Sequence, residues 1–378
     1  MTTTLHRSLA RLSRAERHFR GGATQRMLEL RAGQPAAPHA SVHGYRAEEA
    51  RMTAQLTPPP ARLGVPADFL TLDAFDARGL EALLDLSERF RRDPQLARNA
   101  LAGGRIGLIF HKPSTRTRVS FEAAAWRLGM LPIALRPDEL QLGRGETIPD
   151  TARTLSRYLD AIVIRTFSQA SVEELAEHAS IPVVNALTDE HHPCQALADV
   201  LTLREEFGHL AGLKVAFVGD GDNVVHSLIQ AAALTGFELR VATPAGYEPA
   251  TTVVEAARAI ARESGGSIVL TDDPRTAVRG ADAVYSDVWT SMGHEAEQEA
   301  RHKAFAGYTV DAALMALAEP TAIFLHCLPA HRGEEVTDEV MDGTASRVWP
   351  QAENRMHTEA ALLYALLTGD LEGERLAE

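Results

Sequence analysis

Ser114-Thr115-Arg116-Thr117-Arg118 crowds hydroxyl and guanidinium groups into one short stretch, a combination suited to holding a phosphate. Hydroxyls donate hydrogen bonds, and a guanidinium grips phosphate oxygens with a planar fork of N–H groups. Arg105 to Phe110 before it is an apolar run of strand length, and Val119 to Gly129 after it reads as a helix. A strand therefore delivers the motif to a helix N-terminus, where unpaired backbone N–H groups and the positive end of the helix dipole favour an anion. An N-cap beside salt-bridged surface arginines is the plainer reading, but guanidiniums repel a positive helix end unless an anion joins them.

Further candidates sit where other segments meet helices. Glu190-His191-His192-Pro193-Cys194-Gln195 leads into a helix from Ala196 to Phe207, with Pro193 suited to the first turn. His192 could polarise a carbonyl there, and the Gln195 amide could hydrogen-bond an NH₂ group. Zinc held by His191, His192 and Cys194 is the competing chemistry; it is disfavoured because neighbouring residues seldom point to one ion. A capping loop is the bland alternative, and it leaves Gln195 unexplained. Arg165 follows the buried run Ala161 to Ile164. Ligands gather at the carboxyl ends of parallel strands, although the same position equally suits a surface arginine.

Residues so placed need strands that end side by side, and the hydrophobic pattern supplies them. Leu80, Leu83, Leu84, Leu86 and Phe90 mark an amphipathic helix over Asp76 to Phe90. Strands follow at Leu131 to Leu135 and Pro182 to Ala186, with a helix at Thr151 to Leu159. A second series opens at Lys214 to Val218, runs through Gly219-Asp220-Gly221-Asp222-Asn223, and enters a helix at Val224 to Leu234. This turn lacks the third glycine of a dinucleotide-binding fingerprint, and Glu238 to Thr243 is simply the next strand. Helices at Ala250 to Glu263, Asp273 to Arg279 and Val310 to Ala318 alternate with strands at Ser267 to Leu270, Ala283 to Ser286 and Ala322 to Leu325. Two of those strands end in Asp287-Val288-Trp289-Thr290-Ser291-Met292-Gly293 and His326-Cys327-Leu328-Pro329. The fold class is α/β: two doubly wound parallel-sheet domains joined by helices, with a final helix at Asn354 to Leu367 packing back across their junction. The expected division is 66–207, 208–350 and a C-terminal helix and tail at 351–378.

Residues 1–65 stand apart. Arg7, Arg11, Arg14, Arg17, Arg20, Arg26 and Arg31 precede a Pro/Ala/His stretch and the stiff Pro58-Pro59-Pro60. A disordered extension, a transit peptide and an upstream start codon ahead of Met52 all fit. The chain of 378 residues, 45% hydrophobic, is long enough for two cores. A net charge of −13 argues against general binding to nucleic acid or membrane surfaces and makes the motif arginines local tools. Cys194 and Cys327 each lie in a His- and Pro-containing motif, not a paired framework, which points to a reducing compartment. With no bilayer-length apolar run and no secretory core, the expected location is cytoplasmic.

Together these motifs resemble the aspartate/ornithine carbamoyltransferase family, from about Pro66 to the last helix. Ser-Thr-Arg-Thr-Arg and His-Pro-x-Gln resemble its carbamoyl phosphate motifs. Asp-x-Trp-x-Ser-Met-Gly and His-Cys-Leu-Pro resemble the pair that marks the ornithine branch. The resemblance implies that Ser114, Thr115, Arg116 and Thr117 hold phosphate, and that Arg165, His192 and Gln195 hold the carbamoyl group with Gln141 nearby. It implies an ornithine site at Asn223, Asp287, Ser291 and Met292, completed by Cys327, Leu328 and Arg355. Asp222 departs from the second Asn common in relatives. The implied reaction converts carbamoyl phosphate and L-ornithine to L-citrulline and phosphate, with no metal or organic cofactor because the donor is already activated. Arg116, Arg165, His192, Asp287 and Cys327 would carry the chemistry. Family members form trimers with sites at subunit interfaces, so a neighbouring chain would supply Gln141 or Arg144.

Two other classes remain open on sequence alone. One is a metal-dependent hydrolase built on His191, His192, Cys194, His326 and His331; the other is a non-catalytic phosphate- or amino-acid-binding regulator on the same fold. Within the transferases, putrescine, N-acetylornithine and aspartate compete as acceptors, and Ser-Met-Gly favours ornithine by resemblance.

Overall fold

Short runs of Val, Ile, Leu and Ala without polar alternation become strands of parallel sheets, covered on both faces except at an edge such as Leu131–Leu135. In the computed structural model, which describes residues 64–290 and 297–377, the first such strands are β1 (Arg105–Phe110), β2 (Leu131–Leu135), β3 (Ala161–Arg165) and β4 (Val183–Leu187). They form a parallel sheet in the order β2-β1-β3-β4. The second parallel sheet contains β5 (Lys214–Val218), β6 (Glu238–Ala242), β7 (Ser267–Thr271), β8 (Ala283–Ser286) and β9 (Ile323–His326), ordered β7-β6-β5-β8-β9. In each sheet the order reverses once, beside β1 and β3 in the first and beside β5 and β8 in the second. Helices leave opposite faces at such a point and open a crevice at the strands' carboxyl ends.

The helices of the first half are α1 (Ala77–Arg92), α2 (Thr115–Arg127), α3 (Ile148–Leu155), α4 (Gln169–His178) and α5 (Pro193–Phe207). Those of the second are α6 (Asn223–Thr235), α7 (Thr251–Ser264), α8 (Pro274–Val278), α9 (Gln298–Ala304), α10 (Ala312–Met315) and α11 (Asp338–Met341). The last, α12 (Val348–Thr368), packs on α1, α2 and α5 and also touches β9, so it returns across the junction between the sheets. One apolar cluster runs through that junction, joining Leu108 and Val163 of the first sheet to Phe217 and Tyr285 of the second through Leu362 and Leu363 of α12. The opposite sheet faces have separate cores: Ile109, Ile162 and Ile164 on one, Val218, Val284 and Phe324 on the other. Alternate residues of one strand thus serve different cores, as a period of two requires.

Several expected boundaries move. The helix expected from Val119 starts at Thr115, so the hydroxyl-guanidinium motif is its first turn. α3 starts at Ile148 with Pro149 in its first turn, and Thr147 caps it by accepting from Asp150 N at 3.2 Å. α5 starts at Pro193, and α12 at Val348, six residues ahead of expectation. Proline needs no N–H in a first turn, and it stands first in α5, second in α3 and third in α12. α4, α9 and α11 were not expected, and the helix expected at Val310 to Ala318 is the single turn α10. The extension and linker read at 1–65 lie outside the described residues except for Gly64 and Val65.

Gly221 closes the turn between β5 and α6. A Cβ there would sit 2.3 Å from Tyr247 O and 2.5 Å from Pro249 N, both backbone atoms of a neighbouring loop. Gly221→Ala should therefore destabilise the protein by about 1–3 kcal/mol through overpacking. Urea denaturation of the variant checks this; an unchanged midpoint would mean that the loop yields freely.

Candidate active site

The carboxyl ends of both sheets face a cavity of about 130 Å³. Ser114, in extended backbone at the N-cap of α2, lines it with Arg116 and Thr117 of the first turn. Arg165 enters from the last position of β3, His192 from the N-cap of α5 and Arg355 from α12. Three guanidiniums thus face one small space. Burial, followed by the charges of Arg355 and Arg116, pushes Arg165 down to about 10, still cationic at neutral pH. Burial also lowers Arg116, with Arg355 adding to it. Such crowding is the electrostatic signature of an anion site.

His192 is anchored through its backbone, whose N–H donates to Ser227 Oγ at 2.8 Å. Its Nδ1 has no hydrogen-bond partner among the described residues. Burial, reinforced by Arg355, Arg165 and Arg116, holds the imidazole well below its ordinary range. It therefore serves as a neutral hydrogen-bonding ring and not as a fourth cation. Gln195 lies behind this layer: Nε2 donates to Asp199 Oδ1 at 2.8 Å, and Oε1 accepts from Arg355 Nη1 at 2.7 Å. Both ends of its amide are engaged within the protein.

The second half contributes Asn223 and Asp287 from beyond the ends of β5 and β8, and Cys327 and Leu328 from beyond β9. Asn223 Nδ2 donates to Thr188 O at 2.6 Å and so ties this half to the loop after β4. Asp287 Oδ1 accepts from Val288 N at 2.7 Å and from Cys327 Sγ at 2.8 Å. Burial raises the Asp287 carboxyl, and burial with the Asp287 charge pushes the Cys327 thiol far up, so the sulfur keeps its proton and donates. His326 steers this turn. Its Nδ1 accepts from Leu328 N at 2.8 Å, which leaves Nε2–H to donate to Glu335 Oε1 at 3.1 Å. Leu328 holds φ 60, a left-handed conformation sustained by that first bond.

Other sequence candidates fall elsewhere. Thr115 is exposed and does not line the cavity, and Gln141 is exposed at the N-cap position of a 3₁₀ turn at Leu142–Arg144, where its side chain makes no capping bond. Ser291 and Met292 lie outside the described residues. Cys194 donates to Asn185 O at 3.4 Å, buried and turned away from the cavity. The proposed zinc ligands His191, His192, Cys194, His326 and His331 do not converge. Among the described residues, potential metal-ligand atoms group instead as Asp287, His326 and Cys327, and as His331, Glu334 and Glu335.

The structure adds Lys112 and Asp189, which sequence reasoning passed over. They pair with each other at the cavity, and Lys112 Nζ sits 4.6 Å from the centre of the Phe167 ring. The available signal was a lysine between the end of a strand and the phosphate motif. Arg301, paired with buried Asp220, was likewise unannounced.

Residues 67–205 match the family description "Aspartate/ornithine carbamoyltransferase, carbamoyl-P binding domain", and residues 211–366 match its "Asp/Orn binding domain". Ornithine carbamoyltransferase of Gloeobacter violaceus is 52% identical over 302 residues, 80% of this chain and 96% of that protein. The Bacillus subtilis enzyme of the same name is 52% identical over 300 residues, 79% of this chain and 93% of its own. A solved ornithine carbamoyltransferase from Pyrococcus furiosus superposes with a TM-score of 0.78 at 48% identity, covering 82% of this chain and 99% of that one.

The buried histidines generate a pH prediction. Burial holds His191 down to about 4, so between pH 6.5 and 4 the unfolded chain binds a proton that the folded chain refuses. Its contribution to stability is present above pH 6.5 and is lost as pH falls towards 4. Buried acids with raised pKa, such as Asp220 at about 6, work the other way, so the comparison should be differential. Wild type should lose stability relative to His191→Gln as pH falls across this window. Parallel pH profiles from urea denaturation would overturn the assignment.

Proposed function

Because the chain belongs to the aspartate/ornithine carbamoyltransferase family, we propose that its cavity joins a carbamoyl phosphate site on the first sheet to an ornithine site on the second. The protein transfers the carbamoyl group of carbamoyl phosphate to the side-chain amine of L-ornithine, giving L-citrulline and phosphate. The observation that carries the residue assignment is charge opposition across one cavity: Arg116, Arg165 and Arg355 on one side, the Asp287 carboxylate on the other. A phosphate dianion belongs with the first and an ammonium group with the second.

Ser114, Arg116 and Thr117 hold the phosphate, and Thr115, whose side chain lies outside the cavity, adds only its backbone N–H at the first position of α2. Arg165 and His192 hold the carbamoyl oxygen, which becomes an oxyanion when nitrogen attacks, and neutral His192 adds hydrogen bonding without repelling the guanidiniums. Gln195 acts through Arg355, which it positions. The ornithine amine, with an ordinary pKa of about 10.4, must lose one proton before attack. A second leaves as the C–N bond forms and the C–O bond to phosphate breaks. Asn223, Asp287, Ser291, Met292, Cys327 and Leu328 receive ornithine, with the Cys327 thiol fixing the Asp287 carboxylate. Carbamoyl phosphate is already activated, so this chemistry calls for no metal or organic cofactor.

We assign 66–207 to the donor domain, 208–350 to the acceptor domain and 351–378 to the helix and tail that close them, with 1–65 as an extension outside both. A homotrimer is part of the reading. Val119 and Trp126, seven residues apart on one face of α2, are 58% and 69% exposed, and Leu131 opens the edge strand β2 at 59%. A subunit covering that face would bury them and could bring Gln141 to a neighbour's cavity. We place the reaction in arginine biosynthesis in the cytoplasm; among the described residues no helix is long and apolar enough to cross a membrane.

The direct test incubates the protein with carbamoyl phosphate and, separately, ornithine, putrescine, N-acetylornithine or aspartate, and identifies the product by mass. Citrulline should form, and another carbamoylated product would move the acceptor assignment. Arg116→Lys should lose ~2–4 kcal/mol of transition-state stabilisation in carbamoyl phosphate use, since an ammonium cannot reproduce a paired planar contact. Near-wild-type kinetics would relocate the phosphate. Asp287→Asn keeps shape and removes charge; it should raise KM for ornithine at least tenfold and leave carbamoyl phosphate binding within twofold. Unaltered ornithine kinetics in a folded variant would sink that role.

A further inference from the structure

Arg355 has five N–H bonds, and most of them can be followed. Nε donates to Glu359 Oε1 at 3.0 Å, and Nη2 donates to the same oxygen at 2.7 Å. Nη2 also reaches Thr117 Oγ1 at 3.4 Å, and Nη1 donates to Gln195 Oε1 at 2.7 Å. One Nη1 hydrogen remains, on a side chain that lines the cavity. Arg355 is 4% exposed and Glu359 is 0% exposed, so neither group is free to swing into solvent.

Glu359 is poorly explained as a stabilising residue. Its Oε2 has no partner at hydrogen-bond geometry; the Ser120 hydroxyl, near enough to favour the charged carboxylate, donates to Thr117 O at 3.2 Å. A buried ion pair with idle acceptors is commonly matched in stability by an apolar side chain of the same volume. What the carboxylate does is geometric: it fixes the Nε–Nη2 edge of the guanidinium through one oxygen.

We propose that Glu359 is a positioning residue for carbamoyl phosphate use: by holding Nε and Nη2 of Arg355 it aims the remaining Nη1 hydrogen at the bound donor. The inference rests on the reading of this cavity as the carbamoyl phosphate site. It assigns α12 two tasks, to bring Arg355 across the junction and, one turn later on the same face, to lock it.

Steady-state kinetics of Glu359→Met and Glu359→Gln, with inorganic phosphate binding followed by calorimetry, provide the test. Methionine is unbranched and similar in size but offers Arg355 no oxygen; it should raise KM for carbamoyl phosphate at least tenfold, weaken phosphate binding to match, and leave KM for ornithine within twofold. Glutamine can present an oxygen to the same two N–H groups and should stay within threefold of wild type. A folded Met variant with wild-type KM overturns the proposal, as does a Gln variant as damaged as Met, which would make charge and not aim the operative property. Should Glu359→Met not fold, ¹⁵N-arginine NMR of the wild type replaces it. The Nε–H signal that Arg355→Lys removes should be protected from solvent exchange and should shift on phosphate addition; a rapidly exchanging signal rejects the proposal. Wild-type protein that binds no phosphate would remove the site itself, whereas retained wild-type binding with an unaffected Met variant removes this inference alone.

Discussion

Three guanidiniums held around one small cavity set the constraint to which much of this structure answers. Arg165 and Arg355 are buried, and Arg165 is lowered to about 10, first by that burial and then by the charges of Arg355 and Arg116. The three stay because each comes from a different rigid support: the first turn of α2, the end of β3 and the middle of α12. A dianion relieves the repulsion. Binding is favoured by a fold that has already gathered the charges, so little reorganisation remains when the ligand arrives.

The two sheets make this gathering possible. Each places its reversal of strand order at the cavity, so loops after β1 and β3 meet loops after β5 and β8 with the strands' carboxyl ends facing. The junction is an apolar core as well as a cleft, since α12 lays Leu362 and Leu363 into a cluster shared by both halves. Arg355 therefore reaches the first sheet's site on a helix that follows the second sheet in the chain. Damage to that packing would be felt as loss of chemistry as well as of stability.

The opposite wall works by restraint. Two bonds fix it side by side: Asp287 accepts from the Cys327 thiol, and the neighbouring His326 bonds buried Glu335. The thiol keeps its proton, so its part is to donate to the carboxylate and orient it. His326, whose Nε2 bonds Glu335 and whose Nδ1 bonds Leu328 N, belongs to the support of the site and not to its surface.

The sequence by itself determined the alternation of short apolar runs with amphipathic segments, and hence parallel sheets with helices on both faces, because side-chain period and burial are local consequences of residue order. It also determined which residues crowd at strand ends and helix starts: Ser114 to Thr117, Arg165, His192, Asp287 and Cys327 were legible from their neighbours. Helix starts were less so. A hydroxyl-rich or proline-containing first turn resembles a loop until its N–H groups are seen to need no partner, which is why α2 and α12 begin earlier than their apolar spacing suggests. Only the tertiary structure decided which distant groups meet. The Arg355 bond to Gln195 spans 160 positions and the Asn223 bond to Thr188 spans 35, while Lys112 finds Asp189 77 residues away. No period or composition encodes such pairs, because they follow from how two sheets and one returning helix pack, and packing depends on the whole chain at once.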